Sequence, residues 1–403
     1  MSPSSTDDVV DSNGLGAVLD GARLVLVCGS GGVGKTTASA ALGMAAARQS
    51  PRRVLVITVD PARRLADALG IESASFAGAG AVRVEPPPGE QWAGSLAVAM
   101  LDTKAGWDEL IRRHAPDTAM AERVLANPLY HNITSRFVNS HDYLAMEQLH
   151  YLDRSSEFDL VIVDTPPSRH ALDLVDSPRR MREFFASSLL RWLTVPTRSR
   201  LLTAASRPFN AVAERVLGTG FLHDIIDFFS LLRAMEPGFV ERAAAVEQLL
   251  AAERTAFVVV TTCEDSPIEE ARYFVDELHR RSLPMRAIVL NRVLPDSFRS
   301  PTAAGAAATL AGVGDVTALA DRLAEPIPQF DPASLRHVLV EVGRRFAEVR
   351  ARADAEHGRR LSLVAHLAGV GLGSAVPVVV VPDLSADVHD LGGVAAMAAA
   401  LAG

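Results

Sequence analysis

A glycine-rich octapeptide constrains the fold of this chain more than any other part of its sequence. Residues Gly29 to Thr36 read GSGGVGKT and match the pattern G-x-x-x-x-G-K-[ST]. The octapeptide follows the apolar run Leu24 to Cys28 and precedes a helix that we expect to begin near Thr36, which is the context this motif requires. It therefore predicts a loop whose backbone N–H groups enclose a phosphate group at the N-terminus of a helix.

The residue types of the loop suit the triphosphate of ATP with its Mg²⁺ ion, which we take as the cofactors. Lys35 would reach the β- and γ-phosphates, and the Thr36 hydroxyl would bind Mg²⁺. Lys35 and Lys104 are the only lysines in the sequence, and a phosphate loop uses a compact ammonium group that arginine does not replace. A glycine-rich turn without a ligand is the simpler alternative. The residues predicted to contact the nucleotide here are Gly31, Gly32, Val33, Gly34, Lys35, Thr36 and Thr37.

Short runs rich in Val, Leu and Ile recur between longer helical patterns. Runs that are apolar on both faces are typical of strands in a buried parallel sheet, with helices as crossovers on both sides. The sequence therefore predicts an α/β fold with a doubly wound, mostly parallel sheet. The predicted strands are Leu24 to Cys28, Val54 to Val59, Ser95 to Leu101, Leu160 to Asp164, Phe257 to Thr261, Ala287 to Asn291 and Val376 to Val381.

Two stretches are too long to be simple crossovers. We predict a flexible N-terminus over residues 1–20 and one phosphate-binding domain over 21–403, with helical insertions at about 102–152 and 181–250. The second insertion is aromatic, and its rings fit either an ordinary core or an exposed groove for an apolar partner. Residues 301–318, rich in Ala and Gly, are expected to form a mobile surface connection. The phenylalanines of the second insertion are Phe184, Phe185, Phe209, Phe221, Phe228, Phe229 and Phe239.

Composition excludes several classes of protein. The 403 residues carry a formal charge of −8 and only 5% aromatic residues, so a nucleic-acid partner is not expected. Two cysteines, Cys28 and Cys263, cannot build a disulfide framework and indicate a reducing compartment. Without a secretory signal or a run of about 18 apolar residues, the chain is expected to be cytoplasmic.

Two aspartates follow predicted strands, where ligands of open α/β sheets bind. Asp164 follows Leu160 to Val163 and is the better candidate to hold Mg²⁺. Asp60 follows Val54 to Val59 and would orient or deprotonate the attacking water, and we also count it among the groups near the metal. Each aspartate alone could be an ordinary helix N-cap. Together with the loop, Lys35, Asp60 and Asp164 form the predicted catalytic set.

These segments resemble the arsenical pump-driving and tail-anchored-protein-targeting ATPases, a branch of the deviant P-loop NTPases. The segment beginning at Asp60 looks like the first switch of that branch, and the one beginning at Asp164 looks like the second. The resemblance implies that Asn291 binds adenine and that the late loop with Pro382 and Asp383 closes over the base. It spans nearly the whole chain.

The phosphate loop departs from this family at one position. The family's loop reads G-K-G-G-V-G-K-T, and its first lysine reaches the phosphates of the partner subunit, whereas this chain has Ser30. A hydroxyl cannot offset the charge that develops on the γ-phosphoryl oxygens. We interpret the chain as an actinobacterial-type member that forms a heterodimer with a lysine-bearing paralogue. A homodimer in which Arg63, Arg64 or Arg169 substitutes for the lysine is the alternative.

Two functions follow from this reading. The first is a slow, partner-dependent Mg²⁺-ATPase whose hydrolysis switches a dimer and moves the helices of residues 181–250. The second is a nucleotide-binding scaffold subunit with little catalysis of its own. The retained Asp60 favours the first function, because a scaffold has no need of a water-activating carboxylate. An apolar or membrane-associated cargo, with peripheral membrane association of the chain, is an open extension.

Overall fold

One central sheet contains the eight strands found in the described chain, in the order β3-β4-β2-β5-β1-β6-β7-β8. The computed structural model describes residues 14–59, 64–71, 80–100, 103–127, 130, 140–167, 169–187, 228–230, 233–325, 331–384 and 390–402. The strands are β1 Leu24–Cys28, β2 Arg53–Thr58, β3 Val82–Val84, β4 Ser95–Met100, β5 Leu160–Asp164, β6 Thr255–Thr262, β7 Met285–Val293 and β8 Val378–Pro382.

The sheet confirms the predicted α/β class, with a mostly parallel arrangement. Every neighbouring pair is parallel except β3 with β4, which is antiparallel. Strand β1 lies at the centre between β5 and β6, and its five residues are all buried. The carboxyl ends of these strands meet at one edge, and the phosphate loop follows β1 at that edge. The short edge strand Val82–Val84 was not predicted.

Helices cover both faces of the sheet. In the described chain they are α1 Gly14–Gly21, α2 Lys35–Gln49, α3 Arg64–Ala68, α4 Thr103–His114, α5 Thr118–Ala126, α6 Ser140–Ser155, α7 Arg169–Ala186, α8 Glu236–Ala251, α9 Asp265–Arg280, α10 Pro301–Ala311, α11 Val313–Ala324, α12 Pro332–Gly369 and α13 Leu391–Ala402. Helices α1, α2 and α13 pack on one face. Helices α6 to α9 and the last turns of α12 pack on the other.

Helix α2 packs unusually close to the sheet. A Cβ added at Gly43 would lie 2.5 Å from Val56 Cγ2 and 3.0 Å from Leu96 Cδ1. Only glycine leaves room for this approach, which brings the helix onto β2 and β4. Since α2 begins at Lys35, its packing on the sheet also fixes the position of the phosphate loop.

The two predicted helical insertions contain helices wherever they are described, and these helices share one hydrophobic cluster. Phe185 at the end of α7 stacks on Phe239 of α8 at 5.3 Å between ring centroids, and Tyr143 of α6 lies 5.8 Å from Phe239. Phe185, Phe228 and Phe239 are buried, so these rings belong to an ordinary core. Phe209 and Phe221 lie outside the described residues.

Two segments contain helices that the sequence did not predict. Residues 301–318, expected to form a mobile surface connection, lie in α10 and α11, which pack on the 38-residue helix α12. Alanine is the strongest helix former, and this preference prevails over the glycines. Residues 14–20 of the predicted N-terminus lie in α1, and Leu15 and Leu19 of this helix are buried in the core. Residues 1–13 lie outside the described part.

None of the described helices is, by itself, both long and apolar enough to cross a membrane. The bent pair Pro301–Ala311 and Asp315–Ala324, at 91° to each other, meets the length and composition criteria only when the two are counted together.

Candidate functional site

The predicted phosphate loop joins β1 to α2, and two of its glycines are required by the backbone. Gly34 has φ 93° and Gly29 has φ 148°, conformations that residues with a side chain rarely adopt. A Cβ at Gly29 would lie 2.1 Å from the Val260 carbonyl oxygen of β6. On the other side of the loop, a Cβ at Gly32 would meet nothing within 4 Å. The loop is therefore packed against β6 at Gly29 and open at Gly32.

Lys35 lies inside this loop rather than in solvent. Its Nζ donates a hydrogen bond to the Ser30 carbonyl oxygen at 2.8 Å, and the residue is only 8% exposed. The ammonium group is thus already held at the mouth of the loop. An anionic phosphate oxygen is a stronger acceptor than a carbonyl, so a bound triphosphate would compete successfully for this donor.

Thr36 and Asp164 meet at the carboxyl edge of the sheet, as the sequence predicted for a magnesium site. The Thr36 hydroxyl donates to Asp164 Oδ2 at 2.8 Å, and Thr58 Oγ1 lies 3.3 Å from the same oxygen. Asp164 is 2% exposed. A hydroxyl and a carboxylate in contact at the first turn of the loop helix are the oxygen donors that Mg²⁺ prefers, so these residues fit the ion.

Asp60 lies outside the described residues, and its predicted role is a proposal. The chain that leads to it is placed, because the Val59 N–H donates to the Asp164 carbonyl oxygen at 3.2 Å. The residue before Asp60 therefore runs beside Asp164 at the carboxyl edge. Arg63 is likewise outside the described residues.

Asn291 is placed against the phosphate loop. Its Nδ2 donates to the Val33 carbonyl oxygen at 2.8 Å, and its Oδ1 accepts from the Arg292 N–H at 3.0 Å. The side chain is buried, with 7% of the residue exposed. Its predicted contact with adenine stays a prediction.

Pro382 and Asp383 lie at the end of β8, the strand beside β7 at the edge of the sheet. Both are exposed, and the Asp383 N–H donates to the Val293 carbonyl oxygen at 2.9 Å. The structure therefore connects them to the strand of Asn291, and their proposed contact with the base is not tested by this geometry. Gly31, Val33 and Thr37 belong to the loop and the first turn of α2.

Sequence reasoning missed two threonines at this edge. Thr58, the last residue of β2, contacts Asp164, and Thr165 Oγ1 donates to the Val27 carbonyl oxygen at 2.7 Å. Thr165 directly follows Asp164, and Thr58 is two residues before Asp60, which was the available signal. Ser30 Oγ is buried and has no hydrogen-bond partner among the described residues.

Both cysteines are buried and neither forms a disulfide in the described chain. Burial raises the pKa of Cys28 to about 12 and that of Cys263 to about 11. Among the described residues, no three or more His, Cys, Asp or Glu side chains form a cluster that could hold a metal ion.

Comparison with known proteins identifies the family that this sequence resembles. The sequence model of the family described as "Anion-transporting ATPase" matches residues 22–305. The chain is 24% identical to a protein named ATPase ASNA1 homolog from Entamoeba dispar, over 73% of this chain and 81% of that protein. It is 23% identical to a putative arsenical pump-driving ATPase 2 from Aquifex aeolicus, over 68% and 81%. It is 24% identical to an ATPase named get3 from Aspergillus terreus, over 68% and 73%.

Proposed function

The chain belongs to the anion-transporting ATPase family, and from this membership and the geometry of its loop we propose that it is a Mg²⁺-dependent ATP hydrolase that drives a dimer switch. The observation that carries the proposal is the Thr36–Asp164 contact at 2.8 Å beside a phosphate loop that is open on one side. The Asp164 carboxylate is 2% exposed and accepts from the hydroxyl that this motif uses to bind Mg²⁺.

Each residue of the site has its own role in the proposed hydrolysis. The loop N–H groups and the N-terminus of α2 bind the β- and γ-phosphates. Lys35 exchanges the Ser30 carbonyl for a γ-phosphate oxygen, and Thr36 and Asp164 hold Mg²⁺. When bound, the ion neutralises charge on the phosphate oxygens during transfer. Asp60 orients the attacking water and accepts its proton.

Ser30 supports a partner that completes the site. Lys35 is the one lysine of the loop, and the Ser30 hydroxyl brings no charge. A family lysine at this position would supply a second cation, and loss of such a group costs on the order of 100-fold in rate. We therefore favour a heterodimer with a lysine-bearing paralogue over a homodimer.

The partner proposal is tested by reconstitution. Adding a lysine-bearing paralogue is expected to raise ATP turnover well above the sum of the two chains measured separately. Ser30→Lys is expected to raise the turnover of this chain alone, because it restores the cation. If neither the added paralogue nor Ser30→Lys raises ATP turnover, the heterodimer proposal is wrong.

Asp60→Asn tests the hydrolytic function itself. Calorimetry should still show binding of Mg·ATP, because the loop is intact, while turnover in the complex falls by about 100-fold or more. Asp321→Asn, an exposed aspartate on α11, is the matched control and should leave both unchanged. Unchanged turnover in Asp60→Asn would instead support a scaffold subunit, and absence of Mg·ATP binding by the wild type would refute both functions.

The cargo of the switch is proposed from the aromatic second insertion. Phe185, Phe228 and Phe239 are buried in the core, so an apolar or membrane-associated partner would bind along residues 181–250 at a place other than these three rings. Purification of the complex at native abundance, with and without ATP, should identify a partner whose retention depends on the nucleotide. Equal retention in both conditions would contradict a nucleotide-driven switch.

A further inference from the structure

The Asn291 side chain bridges the end of β7 and the phosphate loop, although the two are 258 residues apart in sequence. Both ends of its amide group are engaged within the chain. Nδ2 donates to the Val33 carbonyl oxygen, and Oδ1 accepts from the Arg292 N–H. A buried amide whose two ends are already paired is held in one orientation.

The peptide that Asn291 holds is the one that gives the loop its shape. Val33 is 1% exposed and immediately precedes Gly34, which has φ 93°. A Cβ at Gly34 would lie 2.4 Å from Asn291 Nδ2, so the amide group occupies the space that a side chain would take. The left-handed turn before Lys35 is thus packed against Asn291 on one side and hydrogen-bonded to it through the Val33 carbonyl.

The end of β7 contains a strained residue, Arg292, which the Asn291 side chain also contacts. Arg292 has φ 58°, a left-handed conformation that costs free energy for a residue with a side chain. Its N–H donates to Asn291 Oδ1, so the same amide group stabilises this turn as well. The chain therefore stabilises two left-handed turns with a single side chain, one in the loop and one at the end of β7.

We propose that Asn291 is a positioning residue for the phosphate loop, holding the Val33–Gly34 turn in the conformation that accepts a triphosphate whatever base it carries. This inference rests on the proposed function, since it concerns how the loop binds the substrate. It differs from a role in reading adenine, because a residue that positions the loop affects every ligand that has the same phosphates.

A label that reports on one peptide tests the contact without any ligand. Valine labelled with ¹³C at the carbonyl and glycine labelled with ¹⁵N give NMR signals only from Val–Gly peptides, of which the sequence has four. Asn291→Asp retains an acceptor for the Arg292 N–H but loses the donor to Val33, and Asn291→Ala loses both. In both variants the Val33–Gly34 signal should shift while the other three stay in place. The four Val–Gly pairs are Val33–Gly34, Val313–Gly314, Val342–Gly343 and Val370–Gly371.

Arg286→Ala provides the matched control, because Arg286 is an exposed residue at the other end of β7. It should leave all four signals unchanged. An unchanged Val33–Gly34 signal in Asn291→Asp, with the protein folded, would overturn the proposal.

Binding measurements then separate positioning from base recognition. Calorimetry of the presumed complex compares Mg·ATP, Mg·GTP and Mg²⁺ with inorganic tripolyphosphate. Asn291→Asp should weaken all three by the same factor, on the order of tenfold, as expected when a buried hydrogen bond is lost. Weakening of Mg·ATP alone would assign Asn291 to adenine and overturn the proposal. If the wild type bound none of the three ligands while the NMR shift was present, the proposed function would fail and the loop contact would stand.

Discussion

The Thr36 hydroxyl donates to Asp164 Oδ2 at 2.8 Å, which joins the first turn of α2 to the end of β5. These residues are 128 positions apart in sequence and come from segments that the sequence identified separately. Their contact brings the phosphate loop and the second switch segment together in one site. It also makes the proposed magnesium site dependent on two side chains that can be changed independently.

Thr36→Ala and Asp164→Asn should each lower Mg²⁺-dependent ATP turnover by about 100-fold or more, because each would remove a proposed ligand of the ion. Thr36→Ser retains the hydroxyl and should keep most of the activity. Turnover measured against Mg²⁺ concentration should show a higher Mg²⁺ requirement for the first two variants only. A Thr36→Ala enzyme with normal Mg²⁺ dependence would contradict this site.

Two helical glycines should respond in opposite directions to substitution by alanine. Gly43→Ala places a Cβ against Val56 and Leu96 and should destabilise the protein by about 1–3 kcal/mol, the usual cost of overpacking. Gly305→Ala in α10 meets nothing within 4 Å and should stabilise it by about 0.5–1 kcal/mol. Urea unfolding measures both. Destabilisation by Gly305→Ala would contradict the helix assigned to residues 301–311.

The buried ion pair between Glu147 and Arg242 should be costly to break. Their side chains are 10% and 15% exposed, and Glu147 also accepts from the Tyr143 hydroxyl at 2.9 Å. Glu147→Ala leaves the Arg242 charge buried and should cost about 3–5 kcal/mol. Glu183→Ala breaks an exposed pair with Arg179 and should cost less than about 0.5 kcal/mol. Similar losses of unfolding free energy in the two variants would contradict the higher cost expected for the Glu147–Arg242 pair.

Both thiols should be protected from alkylation in the folded protein. Burial raises the pKa of Cys28 from 9.0 to about 12, so the thiolate fraction at pH 8 is small and modification should be about 100-fold or more slower than in urea. The raised pKa also sets a pH dependence. The unfolded chain releases the proton first, so stability should fall as the pH rises from about 9 towards about 12. Thiol reactivity in the native protein equal to that in urea would contradict the burial.

The parts of the fold that the sequence predicted are those with a strong local pattern. The strands β1, β5 and β6 are apolar on both faces, and their burial confirms the reason for the prediction. The strand Val82–Val84 was missed because three residues with the exposed Arg83 in the middle carry no such pattern. Its pairing with β4 is decided by the sheet edge rather than by its own sequence.

The start of helix α10 carries a sequence signal for a helix, which the Ala- and Gly-rich composition of the segment concealed. Ser300 Oγ accepts from the Ala303 N–H at 3.1 Å, and Pro301 occupies the first helical position. Serine followed by proline is a common helix start, which outweighs the glycine of this segment.

The contacts of the candidate site also divide into those that local sequence patterns predicted and those that they did not. The contact of Thr36 with Asp164 follows from two motifs whose relative placement the parallel sheet determines. The contact of Asn291 with Val33 could not be predicted, because it depends on how far β7 extends beside the loop. Local sequence identifies the groups that carry the chemistry, whereas the packing of distant strands decides which of them touch.

Helix α7 begins five residues after Asp164 and ends at Ala186, directly after the aromatic pair Phe184 and Phe185. Its 18 residues amount to a length of about 27 Å, and Pro178 within it removes one backbone hydrogen bond. Under the proposed function, a displacement of the first turn of α7 when the γ-phosphate is lost would be carried along the helix to its far end, where Phe185 stacks on Phe239. The packing of those rings and the nucleotide state at the sheet edge would then change together. A fluorophore placed beside the rings should therefore report hydrolysis about 27 Å away.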